Sequence, residues 1–176
     1  MIRVSFSGAE KSIDAIWLWH TKASSALRER LLEEQVAVVP VARPVFLGMS
    51  LEDITEFFLE LDYLVMLDLL SAAEATIRVD FWTRVQDREK DVLSRAFREI
   101  AKQQDERVSL EEHILDAWVQ HKPEVKASTG DFKGALKLRN WLAHGRYWTP
   151  KLARKSYSPL DVFDICEQVL VELSLK

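Results

Sequence analysis

At 176 residues, 48% of them hydrophobic, the chain is long enough for one domain with a sizeable core and too short for two. Nowhere does it approach about eighteen uninterrupted apolar residues, so no helical membrane span is expected. Its single cysteine, Cys166, rules out an internal disulfide framework, and its formal net charge of −4 conceals a strong local asymmetry.

The opening residues, Met1-Ile2-Arg3-Val4-Ser5-Phe6-Ser7, lack the long apolar centre of a secretory signal. With the lone cysteine, this points to a reducing, cytoplasmic setting. Ser12 to about Gln35 reads as an amphipathic helix through Ile13, Ile16, Trp17, Leu27, Leu31 and Leu32. Val36 to Leu47 is β-branched and broken by Pro40 and Pro44, which suits an extended connection. Pairing with Ile2-Arg3-Val4-Ser5-Phe6 as a short ribbon is one option for it.

From Gly48 to Pro123 there is no glycine or proline for 74 positions, a gap that argues for long helices over short strands. Leu51, Ile54, Phe58, Leu61, Val65, Leu69, Ala73, Ile77 and Phe81 step by threes and fours along one helical face. Ser50 with Asp53 can cap that helix, which runs to about Gln86, either unbroken or bent near Ser71. A further helix is expected over Asp87 to Asp105, with Val92, Ala96 and Ile100 inward and Phe97 as an added candidate. The next begins at Ser109, capped with Glu112, and runs through Ile114, Leu115 and Trp118 to about His121, where Pro123 stops it.

A fifth starts near Thr129 or Gly130 and closes at Gly145, a residue suited to the left-handed turn that ends helices. Ser158-Pro159-Leu160-Asp161 opens the last helix, which continues through Val162, Phe163, Ile165, Cys166, Val169, Leu170 and Leu173. Within that pattern Cys166 reads as a buried small hydrophobe. The expected fold is all-α: an up-and-down bundle of five or six helices in a single domain over residues 1–176. It is less regular over 1–50, with its core over 51–176.

The charge asymmetry sits around Arg139-Asn140-Trp141-Leu142-Ala143-His144-Gly145. From Phe132 through Leu160 there is no Asp or Glu, while Lys133, Lys137, Arg139, Arg146, Lys151, Arg154 and Lys155 supply seven positive charges. The remaining 17 basic and 28 acidic residues leave −11 elsewhere. Such a segment on an acidic protein is an electrostatic footprint for a polyanion, the alternative being an ordinary solvated loop. Tyr147, Trp148, Tyr157 and Trp141 interleave with the charges and can stack on bases; Trp141 can instead pack at a dimer interface.

Arg139-Asn140-Trp141-Leu142-Ala143-His144 resembles the signature of HEPN-domain proteins, an arginine followed by a polar residue and then a histidine four to six positions beyond the arginine. Many HEPN members are metal-independent ribonucleases, including toxins of toxin–antitoxin and antiphage systems. Their up-and-down bundles typically dimerise and bring two motifs together across the two-fold axis. The resemblance therefore implies an endoribonuclease without cofactor or metal, an RNA substrate, a homodimer with its site near the two-fold, and a possible antitoxin partner.

The residues support that chemistry on their own terms. On a helix, Asn140 and His144 share a row, while Arg139 and His144 lie about 140° apart, so a straight helix would not aim both at one atom. Convergence requires either a fraying last turn beside Gly145 or a contribution from a symmetry mate. His144 can take the proton of an RNA 2′-hydroxyl or deliver one to the leaving oxygen. Arg139 would hold the scissile phosphate, and Asn140 would orient the histidine or the phosphate. The plain alternative is a surface arginine and a capping histidine.

Glu74 and Arg78 are four apart in Glu74-Ala75-Thr76-Ile77-Arg78, a spacing that serves as a routine helix-stabilising pair. HEPN proteins often carry an acidic or polar residue on an earlier helix facing the motif. The resemblance thus makes Glu74 a candidate anchor for Arg139 or His144, and Arg78 an accessory phosphate contact. Arg78, Lys137, Arg146, Tyr147, Trp148, Lys151, Arg154 and Lys155 complete the expected RNA-binding set. His20, His113, His121 and His144 show no paired ligand spacing, so no metal site is expected. Two functions remain: an endoribonuclease leaving a 2′,3′-cyclic phosphate, or a non-catalytic helical module that holds RNA, a nucleotide or a protein.

Overall fold

The computed structural model describes residues 4–39, 41–104, 107–152 and 156–175, and these form an all-helical bundle. Helix α1 spans Ile13–Val36, its first turn closed by the Ser12 hydroxyl, which accepts from the Ala15 N–H at 3.1 Å. Helix α2, Leu51–Gln86, opens on a full capping box: the Asp53 N–H donates to Ser50 and the Ser50 N–H to Asp53. Its 36 residues run without a break at Ser71 and span about 54 Å.

Only the second half of α2 lies in the core. Its buried residues run from Val65 to Val85, and none of residues 51–64 is buried. The first half pairs with α1 as an arm, where the Arg28 guanidinium sits 4.5 Å from the Phe58 ring centroid. No ribbon forms among the described residues. The 37–50 connection is fastened by side chains instead: Arg30 donates to the carbonyls of Ala42 and Arg43, and Glu34 accepts the N–H groups of Val45 and Phe46. These contacts satisfy backbone groups that a partner strand would otherwise have to meet. The Val4 carbonyl accepts from Gln86 on α2; Ile2, Arg3 and Pro40 lie outside the described residues.

Helix α3 spans Val92–Gln104 and starts five residues later than expected, because Asp91 caps it by accepting from the Ser94 N–H at 2.9 Å. Of its expected inward residues Phe97 is buried and Ile100 packs against the core, but Leu93 faces inward in place of Val92. Leu93 and Phe97 are buried, whereas Val92 is 69% exposed. Both rows recur every four residues in sequence; Phe97 settles the choice by packing 4.8 Å from Phe81 and 6.2 Å from Trp118.

The following segment, Leu110–Leu115, winds as a π-helix before α4, Asp116–His121. The Ser109 carbonyl accepts from both His113 and Ile114 at 3.2 Å, which is the register slip that widens this turn. A 3-10 turn at Pro123–Val125 leads directly into α5, Lys126–Ala143. That helix starts before Thr129, whose hydroxyl bonds back to the Val125 carbonyl at 2.7 Å and is therefore not a cap. Helix α6, Pro159–Leu173, carries the expected Ser158–Asp161 box. The core half of α2 packs against α3, α5 and α6, and α5 packs against α6. Cys166 is fully buried at that junction, and burial pushes its thiol up to about 12. Among the described residues no helix is long and apolar enough to cross a membrane.

Candidate functional site

Glu74 and Arg78 occupy one row of α2 at the point where α5 crosses it. On α5, Ala135, Leu136 and Leu138 are buried, and this seats Arg139 at the margin of the core. The Glu74 carboxylate is shared between two guanidinium groups. One oxygen accepts from Arg78 Nε at 2.8 Å, and the other pairs with Arg139 Nη2. Arg78 Nη1 donates to the Val108 carbonyl at 3.2 Å, and Arg139 Nη1 to Asn140 Oδ1 at 2.9 Å. Burial lowers the pKa of both arginines below the ordinary guanidinium range.

One donor is left over. Arg139 Nε is buried and has no hydrogen-bond partner among the described residues. An unmet buried donor is disfavoured by about 1–3 kcal/mol, and such atoms cluster where a ligand or water completes the set. Beside it lies a pocket of about 160 Å³ whose polar lining is Glu74, Arg78, Arg139 and Asn140 from the two helices, with Ser109 and Glu111 from the π-helical turn. Neither Ser109 nor Glu111 was singled out by sequence. Glu111 lies in the first turn after Ser109, where a carboxylate is ordinary, and no spacing announces the π turn that carries it to the pocket.

His144 stands elsewhere in the chain. It caps α5, with φ −97° and ψ 19°, and its N–H donates to the Asn140 carbonyl at 3.1 Å. Its ring is exposed, 6.3 Å from the Trp148 centroid, and does not line the Arg139 pocket. The turn that follows is left-handed at two successive residues, Gly145 (φ +79°) and Arg146 (φ +59°). It carries Arg146 to Glu60 on the arm of α2, at 2.5 Å and over the Tyr63 ring. Glu74 thus meets Arg139 and not His144, and the Asn140 side chain orients the arginine rather than the histidine.

The basic window is less positive in space than along the chain. Of its five described cations, Lys133 pairs with Asp116, Arg139 with Glu74 and Arg146 with Glu60, leaving Lys137 and Lys151 exposed. Arg154 and Lys155 lie outside the described residues. Carboxylates absent from the window arrive from α2 and α4, which a sequence count cannot register. Trp141 is engaged within the chain: it packs edge-on against Tyr63 at 5.8 Å, and its Nε1 donates to the Trp148 carbonyl at 2.7 Å. Tyr147 is 85% exposed and packs 4.6 Å from Trp148, so this pair faces solvent. Tyr157 packs at the edge of the core.

Among the described residues no three His, Cys, Asp or Glu side chains are grouped to hold a metal ion. In comparison with known proteins, no family model, no curated protein and no solved structure matches this chain.

Proposed function

We propose that the chain is a metal-independent endoribonuclease of the HEPN type, with an active site assembled from two copies. The observation that carries this reading is the Glu74–Arg78–Arg139–Asn140 cluster, with an unsatisfied Arg139 Nε at a polar pocket and an open histidine at the end of the same helix. Because Arg139 and His144 occupy separate surroundings in one protomer, His144 of one copy serves the Arg139 pocket of the other. Symmetric pairing gives two such composite sites.

In each site His144 takes the proton of the 2′-hydroxyl, and that oxygen attacks the adjacent phosphorus. The 5′-oxygen leaves with the proton that His144 then delivers, giving a 2′,3′-cyclic phosphate and a 5′-hydroxyl end. Arg139 stabilises the extra negative charge on the phosphorane, held at the right angle by Glu74 and Asn140. Arg78 reinforces the same pocket, and Lys137 and Lys151 guide the strand through long-range attraction.

The test is cleavage of tRNA and rRNA by purified protein in EDTA. Wild-type protein is expected to release cyclic-phosphate ends, and Arg139→Ala and His144→Ala are each expected to be inactive. Mixing the two inactive variants restores one competent site per mixed dimer, whereas a site built within one protomer would stay silent in the mixture. Full activity of either variant alone would refute the assignment. One observation favours a second function, a binding module for RNA, a nucleotide or a protein: His144 lies outside the pocket. RNA binding by the wild type with no cleavage product would establish that function instead.

A further inference from the structure

We infer that the Arg139 pocket is a reader of guanine, with Glu111 as the residue that recognises the base. This rests on the proposed RNA-directed function and names the nucleotide that the site prefers. At about 160 Å³ the pocket is well below the roughly 300–1,000 Å³ of sites for drug-sized ligands, so it suits one planar ring rather than a whole nucleotide. Two of its walls, Leu110 and Leu136, are 4% and 3% exposed. They belong to the core and are fixed before anything binds.

The decisive residue is Glu111. It lines the same pocket as two guanidinium groups, yet forms no ion pair or hydrogen bond among the described residues. A pocket made only for phosphate would be weakened by an uncommitted carboxylate, because like charges repel strongly in partly buried surroundings. A carboxylate placed there needs an occupant that brings N–H donors. The arginine side needs the opposite: Arg78 Nη2 takes no acceptor among the described residues and Arg139 Nε is unmet, while the second N–H of each Arg139 Nη nitrogen is left for the phosphate.

Guanine meets both demands. Its N1–H and 2-amino group are adjacent donors for one carboxylate, and its O6 and N7 are the acceptors that arginine reads in pairs. Adenine and cytosine each offer one amino group and no second donor beside it, and uracil offers one N–H between two acceptors. Recognition on these edges is the usual mode for unpaired RNA, whose bases are free to leave the stack. The π-helical turn at Leu110–Leu115 is what brings Ser109 and Glu111 to the pocket.

Binding is measured by fluorescence anisotropy with short RNAs blocked by a 2′-deoxy substitution at the cleavable position. The RNAs differ at one residue: guanine, inosine (which lacks the 2-amino group) or adenine. Wild-type protein is expected to bind the guanine RNA about tenfold more tightly than either of the others. Glu111→Gln should reduce the guanine-to-inosine ratio below about twofold with an unchanged melting temperature. Equal binding of all three RNAs by the wild type, or full preference in Glu111→Gln, overturns the inference. Cleavage of unblocked RNA separates the two proposals. Cleavage without guanine preference overturns the base pocket and leaves the nuclease standing; guanine preference without cleavage does the reverse.

Discussion

The two ends of the Arg139–His144 segment sit five residues apart in very different surroundings. At the Arg139 end the guanidinium is tied to Glu74 on another helix and to the adjacent Asn140, its Nε is buried without a partner among the described residues, and the side chain is mostly covered. At the His144 end the helix has run out, the ring is exposed, and the chain turns through two left-handed residues. The first end is fixed by tertiary packing. At the second, Arg146 is held by Glu60, but the His144 ring takes no hydrogen bond or ion pair among the described residues and so is open to a group from outside the chain. Substitutions at the two ends should therefore separate stability from activity.

The largest difference is expected at the exposed end. His144→Ala should lower RNA cleavage by about 10²–10⁴-fold, the usual contribution of a positioned acid or base. Its folding free energy, from urea titration, should move by no more than about 0.5 kcal/mol, as for other exposed positions. A large loss of stability in this variant would erase the contrast between the ends.

The packed end should behave in the opposite way. Glu74→Ala leaves two guanidinium groups facing each other without their shared carboxylate, and is expected to destabilise the fold by about 2 kcal/mol. That figure is at the low side for broken buried pairs, because both arginines keep some contact with water. A shift in the urea midpoint smaller than that of His144→Ala would show that Glu74 is not what secures Arg139.

The turn between helix and loop sharpens the comparison. Gly145→Ala should be disfavoured by about 1 kcal/mol, from the left-handed backbone alone, since a Cβ there would meet nothing within 4 Å. Loss of the Arg146–Glu60 pair in the same variant, seen as a weaker salt dependence, would mean that the turn also aims Arg146.

The smallest effect contrasts His144 with the buried His20. Burial holds the His20 pKa below its ordinary 6.5, with Asp62 at 3.5 Å opposing the shift and Arg28 adding to it. The unfolded chain then binds this proton more readily than the folded one. The His20 contribution is complete above about pH 6.5 and declines as pH falls through that value towards the folded pKa. The urea midpoint of the wild type should therefore drop between pH 7 and 5, and His20→Gln should flatten that drop. An equal drop in both proteins would place the acid sensitivity at other groups.

Much of the fold was legible because its signals are local. The Ser50–Asp53 and Ser158–Asp161 boxes, the proline at position 159 and the stretch free of glycine and proline after Gly48 each act within a turn or two. Where two local patterns competed, sequence chose only partly right, with Phe97 and Ile100 inward but Val92 outward. The Val92 row and the Leu93 row of α3 have the same period, and only Phe81 and Trp118 on other helices distinguish them. The site was legible as a set of residue types rather than as an arrangement. Glu74, Arg78, Arg139 and Asn140 were nominated and do come together, whereas Glu111 and Ser109 were missed and His144 stands apart.

The sequence by itself determined most of the helices, the caps at Ser50, Ser109 and Ser158 and the presence of an arginine and a histidine at the close of α5, because capping and amphipathic spacing are decided within a few residues. Only the tertiary structure decided which charges are spent and which are open. Carboxylates from α2 and α4 reach Lys133, Arg139 and Arg146 across long stretches of chain, and a slipped helical turn brings Glu111 to a pocket with two arginines. Electrostatic pairing depends on distance in space, and that distance is set by how the helices pack.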